Sequence, residues 1–352
     1  MIRTKKRGRG AGPDVAVRAI DLDDRGRLLV PGTSTPVPTN RVGEYLAQNV
    51  RIPERATDIY VYAHGWQTAP EAASRSAAAL VRQAITLRAA RGRMYPGLGD
   101  GYRPWVVVVR WPSSSRISLG GFLAVRDRAH AMSAAGTGHA PYVLSHLLGY
   151  LDTHRADPAD PAVMANRYGQ YLHLVGHSLG GRFLCEAVQW ATERPARPSV
   201  LGWSAAADPR RPFTVDSMLI FQMAAPRDAF TDSFTSLFPA PGRAGAPLRG
   251  PLVLTHSRWD RATGFWHLRA EGASGIGHSG VGRTPVPQSS IRLRTTRTAY
   301  RLDDLDHRIV NVDAGWLYRG GWGTRLSPAG AHSDFQHPES SHLLLSLAAH
   351  SR

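Results

Sequence analysis

Cysteine is almost missing from this 352-residue chain. A single thiol, Cys185, excludes an intramolecular disulfide and any multi-cysteine zinc or iron–sulfur site. Lysine is nearly absent too. Only Lys5 and Lys6 occur, although basic residues outnumber acidic ones 43 to 27 and the formal charge is +16. No apolar run approaches the roughly 18 residues that span a bilayer. No hydrophobic stretch follows the basic N-terminus (Arg3, Lys5, Lys6, Arg7, Arg9), so no secretory signal is read there. With 20% charged and 42% apolar residues, the composition is neither that of a disordered chain nor that of a membrane bundle. The expectation is a soluble, cytoplasmic globular protein with room for one large domain or two modest ones.

The basic surplus is arginine spread along a chain also rich in alanine, glycine and proline. It has the look of a coding bias, and nucleic acid is not expected as a partner. Only the first ten residues form a basic block, within a tail over 1–13. That tail is read as disordered, capable at most of weak contact with an anionic surface.

Residues 14–57 read as an N-terminal extension built on a hairpin: Val15–Ile20, a turn through Asp23-Asp24-Arg25-Gly26, then Leu28–Val30. From Asp58 to the C-terminus, strand-like and helix-like segments alternate, which predicts one α/β domain around a mainly parallel sheet over 58–352. The predicted strands are Asp58–Ala63, Trp105–Trp111, Tyr171–Val175, Met218–Ala224, Leu252–Thr255 and Arg308–Val312. The predicted helices start at Thr68 (a Thr68/Glu71 capping box with Pro70 behind it) and end at about Gly92, span roughly Arg126–Leu151, and cover Leu179–Thr192 and Pro338–Ala349. A Gly-, Ser- and Pro-rich stretch, 272–290, reads as a long loop.

The most informative segment is Gly176-His177-Ser178-Leu179-Gly180-Gly181. It carries G-x-S-x-G with an apolar strand before it and a helix after it. A serine on so tight a turn needs neighbours without side-chain bulk. Gly176 and Gly180 supply that room, and Gly181 lets the following helix pack closely. The serine hydroxyl is a weak nucleophile at neutral pH and needs a base, an acid that orients the base, and donors for an oxyanion. His64-Gly65-Trp66-Gln67 follows the first predicted α/β strand. The N–H of Trp66, with that of Leu179 just after the serine, would form the oxyanion hole. His64 is read as a structural anchor of that loop.

These residues resemble the α/β-hydrolase superfamily in order along the chain: His64-Gly65-Trp66, Arg110-Trp111-Pro112-Ser113, the Ser178 turn, Ala225-Pro226, and Ser257-Arg258-Trp259-Asp260. The set is similar to a poorly characterised bacterial branch with an HGF-type loop, a W-P-S strand end and a GHSMG-type elbow. That branch commonly has aspartate after Ala-Pro, where this chain has Arg227 and then Asp228. The resemblance implies an α/β-hydrolase fold, serine-hydrolase chemistry in the order Ser…Asp…His, and no cofactor. It places the acid at Asp260, with Asp228 as the alternative, and the base at His332, with His337 as the alternative. His307 and His342 are lesser contenders among fifteen histidines.

The expected activity is hydrolysis of a carboxylic ester, lipid esters among them, through an acyl-enzyme. Amidase, thioesterase or acyltransferase chemistry would use the same three residues. A non-catalytic basic binding module is the reading from another class. Segments 113–140 and 230–250 are the candidate lids. The G-x-G-x-x-G at Gly275–Gly280 lacks the preceding strand and following helix of a dinucleotide site. His332, Asp334 and His337 lack an established metal-ligand spacing.

Overall fold

In the computed structural model the described residues are 15–99, 101–116, 118–133, 138–156, 169–193, 213–238, 247–321, 327 and 329–352. The basic tail lies outside them. Eight strands form one sheet in the order β1-β3-β2-β4-β5-β6-β8-β7: β1 (Val17–Asp21), β2 (Asp58–Ala63), β3 (Pro104–Arg110), β4 (Tyr171–His177), β5 (Ser217–Phe221), β6 (Leu252–His256), β7 (Gln288–Arg292) and β8 (Ile309–Asp313). Every neighbouring pair is parallel. A parallel pair cannot close through a tight turn, so each connection needs a long crossover. The long helices α1 (Val42–Asn49), α2 (Pro70–Arg91), α3 (Leu119–Ser133), α4 (Ala140–His154), α5 (Leu179–Glu193) and α6 (Pro338–His350) flank the sheet.

Both faces of the central strands are covered, so they read as near-continuous apolar runs whose side chains alternate between two cores. Ile59, Val61, Val107, Val109, Leu172 and Leu174 join the core that includes Leu46, Val125, Leu147 and Val188 of α1, α3, α4 and α5. Tyr60, Tyr62, Val106, Val108 and Val175 join the opposite core, with Ala77 and Leu80 of α2 and Leu344 and Leu347 of α6. This is the helix-flanked α/β architecture expected from the alternation. Among the described residues no helix is long and apolar enough to cross a membrane.

The N-terminal hairpin is only half a hairpin. Its turn returns the chain so that Leu28 bridges Leu22 antiparallel, but its first arm is β1, which pairs parallel with β3 as an edge of the main sheet. The expected helix over 126–151 is two helices, α3 and α4, the second opening on Ala140-Pro141. The Thr68/Glu71 capping box does not form. The N-cap of α2 is Ala69, with Pro70 at its first position, and the Thr68 hydroxyl turns to the carbonyl of Trp66 at 3.4 Å.

The sheet order places a crevice. From β2 the chain steps to β3 on one side, and then from β4 through β5 and β6 on the other. The carboxyl ends of β2 and β4 therefore flank the point where the winding reverses, which is where ligands of open α/β sheets bind.

Candidate active site

Among the described residues three non-glycine residues adopt left-handed backbone, and each lies just past the carboxyl end of a central strand: Gln67 (φ 61°) beyond β2, Ser178 (φ 55°) after β4, and Gln222 (φ 48°) after β5. Such geometry costs on the order of 1–3 kcal/mol per residue and persists only where the surroundings enforce it.

At Ser178 the enforcement comes from close packing. A Cβ on Gly180 would sit 2.2 Å from the carbonyl oxygen of Ala63, one on Gly176 would sit 2.4 Å from the Gly181 Cα, and one on Gly181 would sit 2.2 Å from Ile220 Cγ2. All three are far inside van der Waals contact, so these glycines let α5 pack onto the ends of β2, β4 and β5. Ser178 N–H donates to the Phe221 carbonyl at 3.0 Å. Its side chain projects at the start of α5, whose first-turn N–H groups have no intrahelical acceptor and carry the positive end of the helix dipole.

The histidine comes from the loop between β8 and α6. An antiparallel bridge joins Gly330 to Asp260, and Ala331 N–H donates to the Trp259 carbonyl at 3.0 Å. Phe335 packs at 4.7 Å on Phe221 and 4.6 Å on His177. The loop holds the buried imidazole of His332 between Asp260 and Ser178. His332 Nδ1–H donates to Asp260 Oδ2 at 2.8 Å, which leaves Nε2 to accept from the Ser178 hydroxyl at 2.7 Å. His177, the residue before the serine, donates Nε2–H to the His332 carbonyl at 2.8 Å. Burial, aided by the neighbouring His332 ring, pushes the His177 imidazole down to about 3, so it acts as a neutral strut.

Asp260 is fully buried. Burial pushes its carboxyl up, but the His332 imidazole and the backbone N–H of Thr263 at 3.0 Å outweigh that, and the net shift is below the ordinary carboxylate range. Gln222 completes the shell: its Nε2 donates to Asp260 Oδ2 at 3.1 Å and to the Ala331 carbonyl at 3.0 Å. One side-chain amide thus ties the acid to the histidine loop.

The segment behind them is Gly275–Gly280. The sequence suggests a loop, but Ile276–Ser279 is a short helix with Ile276 and Gly277 buried. Ile276 and Gly277 donate N–H to the carbonyls of Ala225 and Met223 at 2.9 Å. A Cβ on Gly277 would lie 2.8 Å from Asp260 Oδ2, so glycine is needed there for the segment to close against the acid.

The 64–67 loop runs against the serine. A Cβ on Gly65 would meet both Ser178 Cβ and His177 Nδ1 at 2.7 Å. His64 anchors the loop as expected. Its Nε2 accepts from Trp111 N–H at 3.1 Å, its Nδ1–H donates to the Gly65 carbonyl at 3.0 Å, and its own carbonyl accepts from Trp111 Nε1–H at 2.7 Å. Burial pushes its imidazole down to about 4. Gln67 N–H is spent on the Ser113 carbonyl at 3.0 Å. The Trp66 ring packs into a buried aromatic cluster with Phe122 of α3 and Trp266, at centroid separations of 5.3 and 5.6 Å.

The alternatives stand elsewhere. Asp228 is exposed, opens the short helix Ala229–Asp232 and accepts from Arg283 N–H at 3.0 Å. His337 begins α6 and pairs with Asp334 at 3.1 Å, a hydrogen bond that raises its pKa. His342 is buried between Tyr95 and the Thr298 carbonyl. Cys185 is a core residue beside Met218. Among the described residues no group of three or more His, Cys, Asp or Glu side chains is arranged to hold a metal ion. The first candidate lid contributes Phe122 to that buried cluster and lies partly outside the described residues. The second falls partly outside the described residues.

Gln222, His177 and the Gly275–Gly280 segment are contributors that sequence reasoning missed. Gln222 lay inside a predicted strand, where an isolated glutamine carries no signal.

No protein-family model and no curated protein matches the chain. Among solved structures, a metagenomic carboxyl esterase superposes with a TM-score of 0.29 at 11% identity, over 94% of this chain and 83% of that one. An uncharacterised protein from Pseudomonas aeruginosa gives 0.27 at 10% identity, over 86% of this chain and 48% of that longer one. Neither superposition is close enough to carry function across.

Proposed function

We propose that the protein is a serine hydrolase that cleaves carboxylic esters through an acyl-enzyme. The observation that supports this most directly is the continuous chain of short hydrogen bonds from Ser178 through His332 to Asp260, with 2.7 and 2.8 Å steps. A neutral imidazole whose Nδ1–H is held by a buried carboxylate has its Nε2 lone pair fixed on the serine hydroxyl, which is the arrangement general-base catalysis needs.

In this reading Ser178 Oγ attacks the acyl carbonyl while His332 Nε2 takes its proton. Asp260 stabilises the resulting imidazolium. The N–H groups of Trp66 and Leu179 hold the oxyanion. His332 returns the proton to the leaving alkoxide, and the alcohol departs. Water, deprotonated by the same imidazole, then releases the acid. Esters are the favoured class because an alkoxide needs less help to leave than an amine.

The test is labelling by a fluorophosphonate probe together with hydrolysis of short p-nitrophenyl esters. Wild type should label once and turn over. Ser178→Ala should do neither, and Asp260→Asn should lose on the order of 10⁴ in kcat. Labelling that survives Ser178→Ala, or full activity in His332→Ala, would overturn the assignment.

A further inference from the structure

A second cavity, of about 480 Å³, opens at the same edge of the sheet but away from Ser178. Its floor is three residues in register: His256 ends β6, Asp313 ends β8 and Arg292 ends β7, with Asp313 paired to both neighbours. Adjacent strands lie about 4.8 Å apart. β8 is three strands from β4, which puts the cavity on the order of 15 Å from the serine. Arg258, from the turn after β6, and Arg319, beyond β8, complete the rim.

Three guanidinium groups therefore converge on one concavity. Among the described residues none has a carboxylate within ion-pairing distance, whereas Arg27, Arg110, Arg155, Arg182, Arg294 and Arg352 are all paired. The sole carboxylate of the lining, Asp313, accepts the Gly315 N–H at 2.8 Å. Three arginines against one aspartate give the lining a balance of 3 − 1 = +2, histidines left out. Two of the arginines are ordered by aromatic rings, Arg292 at 6.0 Å over Trp316 and Arg258 at 5.0 Å over Trp259, which leaves their N–H donors to face the cavity. Arg319 spends one donor on the Gly315 carbonyl at 3.3 Å. His278 forms a fixed wall, its Nδ1–H donated to the Asp260 carbonyl at 3.0 Å.

We propose that this cavity binds a phosphorylated small molecule, a phosphomonoester or a pyrophosphate, at a site separate from Ser178. A tetrahedral dianion or pyrophosphate matches forked guanidinium donors arriving from three directions, and Asp313 can accept from a hydroxyl of the same ligand. The inference stands whether or not Ser178 hydrolyses esters.

Calorimetric titration tests it, with inorganic pyrophosphate and glycerol 3-phosphate as soluble probes and phosphatidylcholine vesicles containing phosphatidic acid as the lipid arm. Saturable one-site binding of a soluble probe is expected. Arg292→Gln or Arg319→Gln, both exposed and harmless to packing, should weaken it at least about tenfold. Arg292→Lys, which keeps the charge and loses the fork, should weaken it less. Binding should be unchanged in Arg75→Gln, which removes a distant charge, and in protein blocked at Ser178 by fluorophosphonate. Absence of saturable binding, equal weakening in Arg75→Gln, competition from the fluorophosphonate, or binding to vesicles alone would each overturn the proposal.

Discussion

Acidification should weaken this fold through two imidazoles near Ser178. The unfolded reference for histidine is 6.5, while burial holds His64 at about 4 and His177 at about 3. The folded state therefore binds fewer protons than the unfolded one below pH 6.5. The stability these groups contribute is complete above 6.5 and is lost as pH falls toward their folded values. At pH 5 an unfolded imidazole has gained about 2 kcal/mol from protonation that a buried neutral one has not, so the pair costs about 4 kcal/mol relative to pH 8. His256, His267 and His342, also pushed down by burial, act in the same direction. His337, pushed up by Asp334, opposes them. Asp260, held below the ordinary carboxylate range, loses its share only at more acid pH. Urea unfolding of wild type, His64→Gln and His177→Gln at pH 8 and pH 5 separates these contributions. Each variant should start less stable at pH 8 yet lose about 2 kcal/mol less than wild type on going to pH 5. If the variants lose as much as wild type, the acid sensitivity lies elsewhere and the argument from neutral struts fails.

Three further outcomes are expected. Gln222→Asn, which tolerates left-handed backbone but is a methylene short of Asp260, should lower kcat about tenfold with little change in KM, as read from steady-state ester hydrolysis; a loss of thermal stability with kcat per folded molecule unchanged would instead mark Gln222 as purely structural. Gly181→Ala places a methyl 2.2 Å from Ile220 Cγ2 and should destabilise by about 1–3 kcal/mol. In a double-mutant cycle by chemical denaturation, Ile220→Ala should return part of that loss. Asp216→Ala strips a partner from the fully buried Arg155 guanidinium, which Asp152 also pairs. Its cost should be about 3–5 kcal/mol by urea unfolding.

How much of this could be read beforehand depends on range. The Ser178 turn was legible because its demands are local: two glycines, a strand and a helix within ten residues. The central strands were legible because both faces are buried, and each is a short apolar run. β7 was not, since Gln288-Ser289-Ser290-Ile291-Arg292 is a polar edge strand with alternating exposure and no apolar run to announce it. The parallel pairing of β1 with β3 joins residues some ninety positions apart, which no turn signal encodes. The Gly275–Gly280 segment looked like a loop because its glycines answer to packing against Asp260 and Gln222, contacts that exist only after folding. The choice of His332 over His337 rested on family resemblance; the fold brings the His332 ring within hydrogen-bonding distance of Ser178 and Asp260, a contact between residues more than seventy positions apart that no local pattern encodes.

The left-handed geometry shared by Gln67, Ser178 and Gln222 has a consequence for anyone engineering this chain. Glycine accepts that backbone without penalty, so Ser178→Gly should give a tougher, inert protein, and a screen for heat tolerance alone would drift toward disarming the rim. Selection for robustness here must be coupled to selection for turnover, because Ser178, the proposed nucleophile, is one of the three positions where glycine relieves backbone strain.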